Sequence, residues 1–230
     1  MNKIIHSTVA DPSKRGTNEV NGKDYLAFTD RLIGFSASGL TGVWARKNTR
    51  EDIYDALRKK ETFATSGPRI KVRFFAGYEF GEAKLGDLDL IKNAYENNLS
   101  MGSTIDIEEG RKPKFLVWAT ADSLGAPLQR IQIIKGWLEN GEHKEKVFDV
   151  VCSDGLMVNS SSFRCPDNGA KVNIETCEVT QNSGASELKS FWEDPDFLED
   201  QEAFYYVRVL ENPVCRWSTW DSIRAGFKPR

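Results

Sequence analysis

At 230 residues, with 40% hydrophobic and 11% aromatic side chains, the chain can bury a sizeable core in one large or two modest domains. A net charge of −3, with acids and bases mixed throughout, argues against a nucleic-acid partner, which would want a clustered basic face. Mean hydropathy is −0.48, and no apolar run approaches the ~20 residues a membrane-spanning helix requires, so no membrane partner is expected.

The opening run MNKIIHSTVADPSKRG is charged and lacks the apolar stretch of a secretory signal. Residues 7–24, with Pro12, Gly16, Asn18, Asn21 and Gly22, read as a surface loop. Tyr25 to Ala45 shows neither helical nor strand period and is expected to be irregular, pinned by aromatics. A helix follows. Thr49 is a good N-cap with Asp52 three residues on, Ile53, Ala56 and Leu57 make one apolar stripe, and Arg58, Lys59 and Lys60 crowd the last turn. Gly67-Pro68 then forces a turn, and Ile70, Val72 and Phe74 alternate with Lys71 and Arg73 as a half-buried strand running to Tyr78.

Beyond that strand the pattern turns largely β. A short helix is predicted over Leu88–Asn98, with strands over Lys114–Thr120, Leu128–Trp137, Lys146–Cys152, Lys171–Val179 and Phe204–Leu210. Asn140-Gly141 is a hairpin turn, since both residues accept positive φ. Phe191–Phe197 and Trp217–Phe227 read as short helices packed on the sheet. The six tryptophans are taken as packing residues, each burying a large area.

Chemistry is sparse. Thr65, Ser66 and Arg69 place two hydroxyls and a guanidinium within five residues, beside a glycine that lets a ligand approach the backbone. That set suits an anion or a polar substrate, although a purely structural helix–loop–strand joint has the same composition. Carboxylate runs such as Asp194-Pro195-Asp196 and Glu108-Glu109 read as solvated loops without the apolar flanks that raise a general acid. His6 and His143 are too few for a catalytic metal, which takes at least about three protein ligands.

The run Gly34 to Phe75, GFSASGLTGVWARKNTREDIYDALRKKETFATSGPRIKVRFF, together with PLQRIQIIKGW, FWEDPDF and AFYYVRVLENPVCRWSTWDS, resembles the bacterial domain of unknown function 3604 family. That resemblance, which covers nearly the whole chain, implies kinship with PHP-type (polymerase and histidinol phosphatase) metal-dependent hydrolases. It implies an α+β chain: a C-terminal remnant of a PHP-type α/β hydrolase domain over residues 1–80, then an accessory, mostly antiparallel β-sandwich-like domain over 81–230. On this reading the His-x-His and Asp-x-His metal motifs belong to an upstream hydrolase segment. No cofactor is expected in this chain, and a divalent metal is expected for the full-length family. Ser36 and Ser38 would then line a cleft beside that metal site, or else sit in a packing loop of small residues.

Cys152, Cys165, Cys177 and Cys215 form no C-x-x-C pair, which argues against zinc. Relatives with signal peptides imply export to the periplasm or beyond, and hence two disulfides of unassigned pairing; four reduced, buried thiols are the alternative. Two functions remain. One is the C-terminal part of an ester- or phosphoester-cleaving metal-dependent hydrolase, inactive alone, with a small-molecule substrate. The other is a non-enzymatic, disulfide-stabilised β-domain that binds a ligand or partner.

Overall fold

The structure, a computed structural model, describes residues 17–20, 23–26, 39–81, 83–224 and 226. They fall into two compact units: one of Met1–Ser38, Ala170–Asn182 and Pro213–Arg230, the other of Gly39–Gly169 and Ser183–Asn212.

In the first unit, β1 (Thr17–Val20) and β2 (Lys23–Leu26) pair as an antiparallel hairpin with Thr17 opposite Leu26. Both lie where the sequence reads loop or irregular chain. The strand expected over Lys171–Val179 is a stapled loop instead, with one bridge between Val172 and Val179. Its cause is local: the Asn173 side chain accepts the Glu175 N–H at 2.8 Å, and Cys177 takes a φ of 59°, which no ladder accommodates. A disulfide joins Cys177 to Cys215, just ahead of helix α3 (Trp217–Arg224).

The second unit holds the principal core. β3 (Leu40–Val43) pairs antiparallel with β4 (Thr62–Thr65), and helix α1 (Arg50–Arg58) lies in the connection between them. Thr49 caps α1 as its sequence predicts, accepting the Asp52 N–H at 3.2 Å while its hydroxyl donates to the Asp52 carboxylate. Four strands form one antiparallel sheet: β5 (Lys71–Gly77), β6 (Leu99–Ser100), β7 (Lys114–Thr120) and β10 (Glu187–Glu193), in the order β10-β7-β5-β6. Three more form the second: β8 (Leu128–Glu139), β9 (Glu142–Cys152) and β11 (Ala203–Glu211), in the order β11-β8-β9.

The two sheets face each other over Ile70, Val117, Ala119, Leu128, Ile131 and Leu188, all buried. The opposite face of the four-stranded sheet is covered by helix α2 (Leu90–Asn97), whose Leu90 and Ala94 pack on Phe75 and Leu116. β7 is thus buried on both faces, which explains its nearly continuous apolar run, FLVWA. Asn140 and Gly141 both carry positive φ, so the β8–β9 hairpin closes as its sequence predicts.

The helix expected over Phe191–Phe197 is not formed. Phe191 and Trp192 belong to β10, opposite Leu116 and Phe115. The alternation of Leu188, Ser190 and Trp192 with Lys189 and Phe191 is a strand period that the Asp-Pro-Asp ending disguises. The described chain is strand-rich with antiparallel sheets.

Candidate functional site

A cleft of about 970 Å³ opens at one side of the sandwich, with all of its lining residues in the larger unit. β11 is an edge strand of its sheet, and across the opening β5 is paired to β6 only at Phe75 and Ala76. The two sheets therefore part here and leave a lined gap. Ile70, Val72, Phe74, Val207 and Val209 give the cleft an apolar floor, Thr62, Thr65, Ser66 and Ser100 bring hydroxyls, and Lys60, Glu199, Asp200, Glu202 and Arg208 add charge to its lining. Tyr205 closes one end, its ring 4.7 Å from Phe115, which stacks at 5.5 Å on Phe74. Such a lining, apolar with a few convergent polar groups, is what a site for an organic ligand requires.

Behind Tyr205 lies a buried polar network. The Lys135 ammonium meets the Asp194 carboxylate at 2.7 Å, with the two side chains 3% and 0% exposed. The Tyr205 hydroxyl donates to the same carboxylate at 2.7 Å, and the Asp196 N–H donates to its other oxygen at 2.9 Å. Lys135 also donates to the Asp196 carbonyl at 2.9 Å. Burial, then the hydrogen bond to Asp194, push the Tyr205 phenol well above its ordinary range, so it stays a neutral donor. Asp194, read from sequence as part of a solvated loop, is buried. Lys135 betrays its position in retrospect, because it shares strand parity with Ile131 and Ile133 and so points into the sandwich.

Of the residues singled out from sequence, Thr65 and Ser66 line the cleft. The Thr65 hydroxyl accepts the Gly67 N–H at 3.2 Å, which fixes the turn into Pro68. Arg69 is exposed and does not line the cleft; its backbone N–H donates to Asp122 at 2.7 Å. Ser36, Ser38 and His6 lie outside the described residues, and His143 is exposed on β9. Among the described residues no group of three or more His, Cys, Asp or Glu side chains is arranged to hold a metal ion.

Sequence reading also missed a carboxylate pair brought together by the fold. Burial and the nearby Asp122 raise the Glu211 carboxyl above its ordinary value, and one Glu211 oxygen is buried without a hydrogen-bond partner among the described residues. Asp122 moves the other way, held low by the N–H groups of Arg69 and Leu124. Residues 122 and 211 are too distant in sequence for any motif to flag them.

A family model for proteins of unknown function, DUF3604, matches residues 2–230. The chain belongs to the DUF3604 family. No curated protein and no solved structure matches it. In this DUF3604 chain the four cysteines are paired as Cys152–Cys165 and Cys177–Cys215, with no free thiol. Such pairing points to an oxidising, extracytoplasmic environment. No described helix is long and apolar enough to cross a membrane.

Proposed function

We propose that the β-sandwich of this DUF3604 chain is a ligand-binding module, whose cleft takes the apolar body of a small organic molecule while Thr65, Ser66 and Ser100 meet its polar substituents. The observation that carries this reading is the cleft itself: an apolar floor with a hydroxyl-bearing rim, opened where β11 and β5 diverge. Val207→Trp, which projects an indole into that space, tests it with Nile red, a neutral apolar dye. Saturable binding by the native chain, weakened at least about tenfold in the variant at nearly unchanged Tm, is the expected result. Absence of saturable binding, or equal affinity in both proteins, overturns the proposal.

A second reading is favoured by the place of Thr65 and Ser66, since the loop inside the family-like Gly34–Phe75 run lies on the cleft rim. On it, the module serves a PHP-type metal-dependent hydrolase of the ester or phosphoester class, in the periplasm or outside the cell. Residues 1–80 complete the hydrolase domain, and an upstream segment supplies the divalent metal. The metal would activate water for attack on the ester; Thr65 and Ser66 would orient the substrate. Aryl phosphate or sulfate cleavage that appears only when an upstream segment carrying His-x-His and Asp-x-His is added supports this reading. Failure of that segment to bind the chain or to gain activity from it removes its support.

A further inference from the structure

On the face of the β11-β8-β9 sheet turned away from the sandwich core, one row of the ladder reads Arg208, Gln132, Asp149. The next reads Leu210, Arg130, Cys152. Asp149 reaches this face through a bulge between Ile131 and Gln132, where the register shifts so that Asp149 rather than Val150 stands opposite Gln132. Val150 then packs on the core and the carboxylate on the far side.

The Asp149 side chain is fully buried, and its acceptor sites are filled. One oxygen takes Arg130 at 3.0 Å and the Cys165 N–H at 2.7 Å; the other takes the Gln132 amide at 2.6 Å and faces Arg164 at 3.5 Å. Arg208 joins by donating its Nε to the Gln132 carbonyl at 2.7 Å. Arg164 is carried by the loop that the Cys152–Cys165 disulfide pins beside Arg130, which fixes its position against the sheet.

Charge does not balance here. Two guanidinium groups face the Asp149 carboxylate and a third, Arg208, is joined to it through Gln132, while Arg130 alone would neutralise it. The next carboxylate along the network, Asp154, already accepts from the Gly184 N–H, the Ser153 hydroxyl and the Asn168 amide. The Arg164 side chain is 47% exposed, and among the described residues it has only its long contact to Asp149. Arg208 is exposed, and its terminal nitrogens meet no acceptor among the described residues. Two guanidinium forks are thus each tethered by one contact to the buried base with donors left over, an arrangement suited to a bidentate oxyanion.

We propose that this face carries an oxyanion site in which Arg164 and Arg208 grip a tetrahedral dianion of the sulfate or phosphate type, free or as the head of an ester, with Arg130 and Asp149 as the fixed base beneath. Arg208, on the edge strand β11, also lines the cleft, whereas Arg130, Asp149 and Arg164 do not, so the anion site adjoins the cleft and shares only Arg208 with it.

Calorimetric titration of the full, oxidised chain with sodium sulfate, inorganic phosphate and phenyl sulfate tests this, with sodium chloride at matched ionic strength as the blank. Sulfate stabilises folded proteins through exclusion from their surface, so the deciding readout is saturable heat and its loss on substitution rather than a rise in Tm. Saturable binding of sulfate or phosphate, weakened at least about tenfold in R164Q/R208Q and unchanged in R111Q, is expected. Phenyl sulfate that binds as well as sulfate marks an ester head as the ligand, and its rejection marks the free ion. Arg164→Gln alone, which removes only the 3.5 Å contact to Asp149, keeps the test open if the double variant does not fold. No saturable heat from any of the three anions, or affinity undiminished in the arginine variants, refutes the site. R164Q, which leaves every cleft-lining residue in place, reads the anion site apart from Nile red binding in the cleft.

Discussion

Removing Asp194 strands a charge inside the sandwich. In Asp194→Ala, Lys135 at 3% exposure loses its counter-ion, the Tyr205 hydroxyl loses its acceptor, and the Asp196 N–H loses the oxygen that folds the turn. Breaking a buried pair by deleting one partner costs about 3–5 kcal/mol, most of it from the uncompensated ion. Lys135 keeps the Asp196 carbonyl at 2.9 Å, which places the expected loss toward the lower end of that range. For a chain of this size the loss corresponds to a fall in Tm of roughly 6–20 °C. Urea denaturation with both disulfides intact, followed by tryptophan fluorescence, measures it. The double variant Lys135→Met/Asp194→Ala separates the stranded charge from the lost packing. It should regain about 2 kcal/mol over Asp194→Ala, because an apolar side chain then fills the site. A loss under about 1 kcal/mol in the single variant, or a double variant no more stable than the single, would refute the reasoning.

Glu211 gives a pH-dependent test. Its folded carboxyl titrates above its unfolded value, so its contribution to stability is fully present below about pH 4 and is lost as pH rises through the raised folded value. Glu211→Gln should therefore raise Tm at neutral pH and leave it unchanged in acid; an equal shift at both pH values contradicts this. Opening Cys152–Cys165 by paired serine substitution, with a sequence separation of 13, should cost about 3 kcal/mol by loop-closure entropy, read from the urea midpoint. Gly102 has a φ of 84°, and a Cβ there would lie 2.5 Å from the Lys59 carbonyl oxygen, a backbone atom that cannot swing aside. Gly102→Ala should accordingly cost more than about 1 kcal/mol, with thermal unfolding as the assay.

What the sequence determined by itself was whatever neighbouring residues decide among themselves. The Thr49 cap and the Ile53–Ala56 stripe specify α1, the Asn140-Gly141 pair specifies a hairpin, and the FLVWA run specifies a strand. The expectation of two disulfides was not local: it came with the family resemblance, and the fold supplied the pairing. Tertiary structure decided the rest, because its causes lie far apart along the chain. β4 is four residues long and exists because β3, some twenty residues earlier, pairs with it; β10 is a strand because Leu116 and Phe115 of β7 meet Phe191 and Trp192. Lys135 and Asp194 are 59 positions apart by their numbering, and the Arg130, Asp149, Arg164 and Arg208 cluster spans four separate segments. A buried charge is tolerable only where the fold delivers its counter-charge, and a pattern of neighbours cannot reveal a partner brought in from another strand.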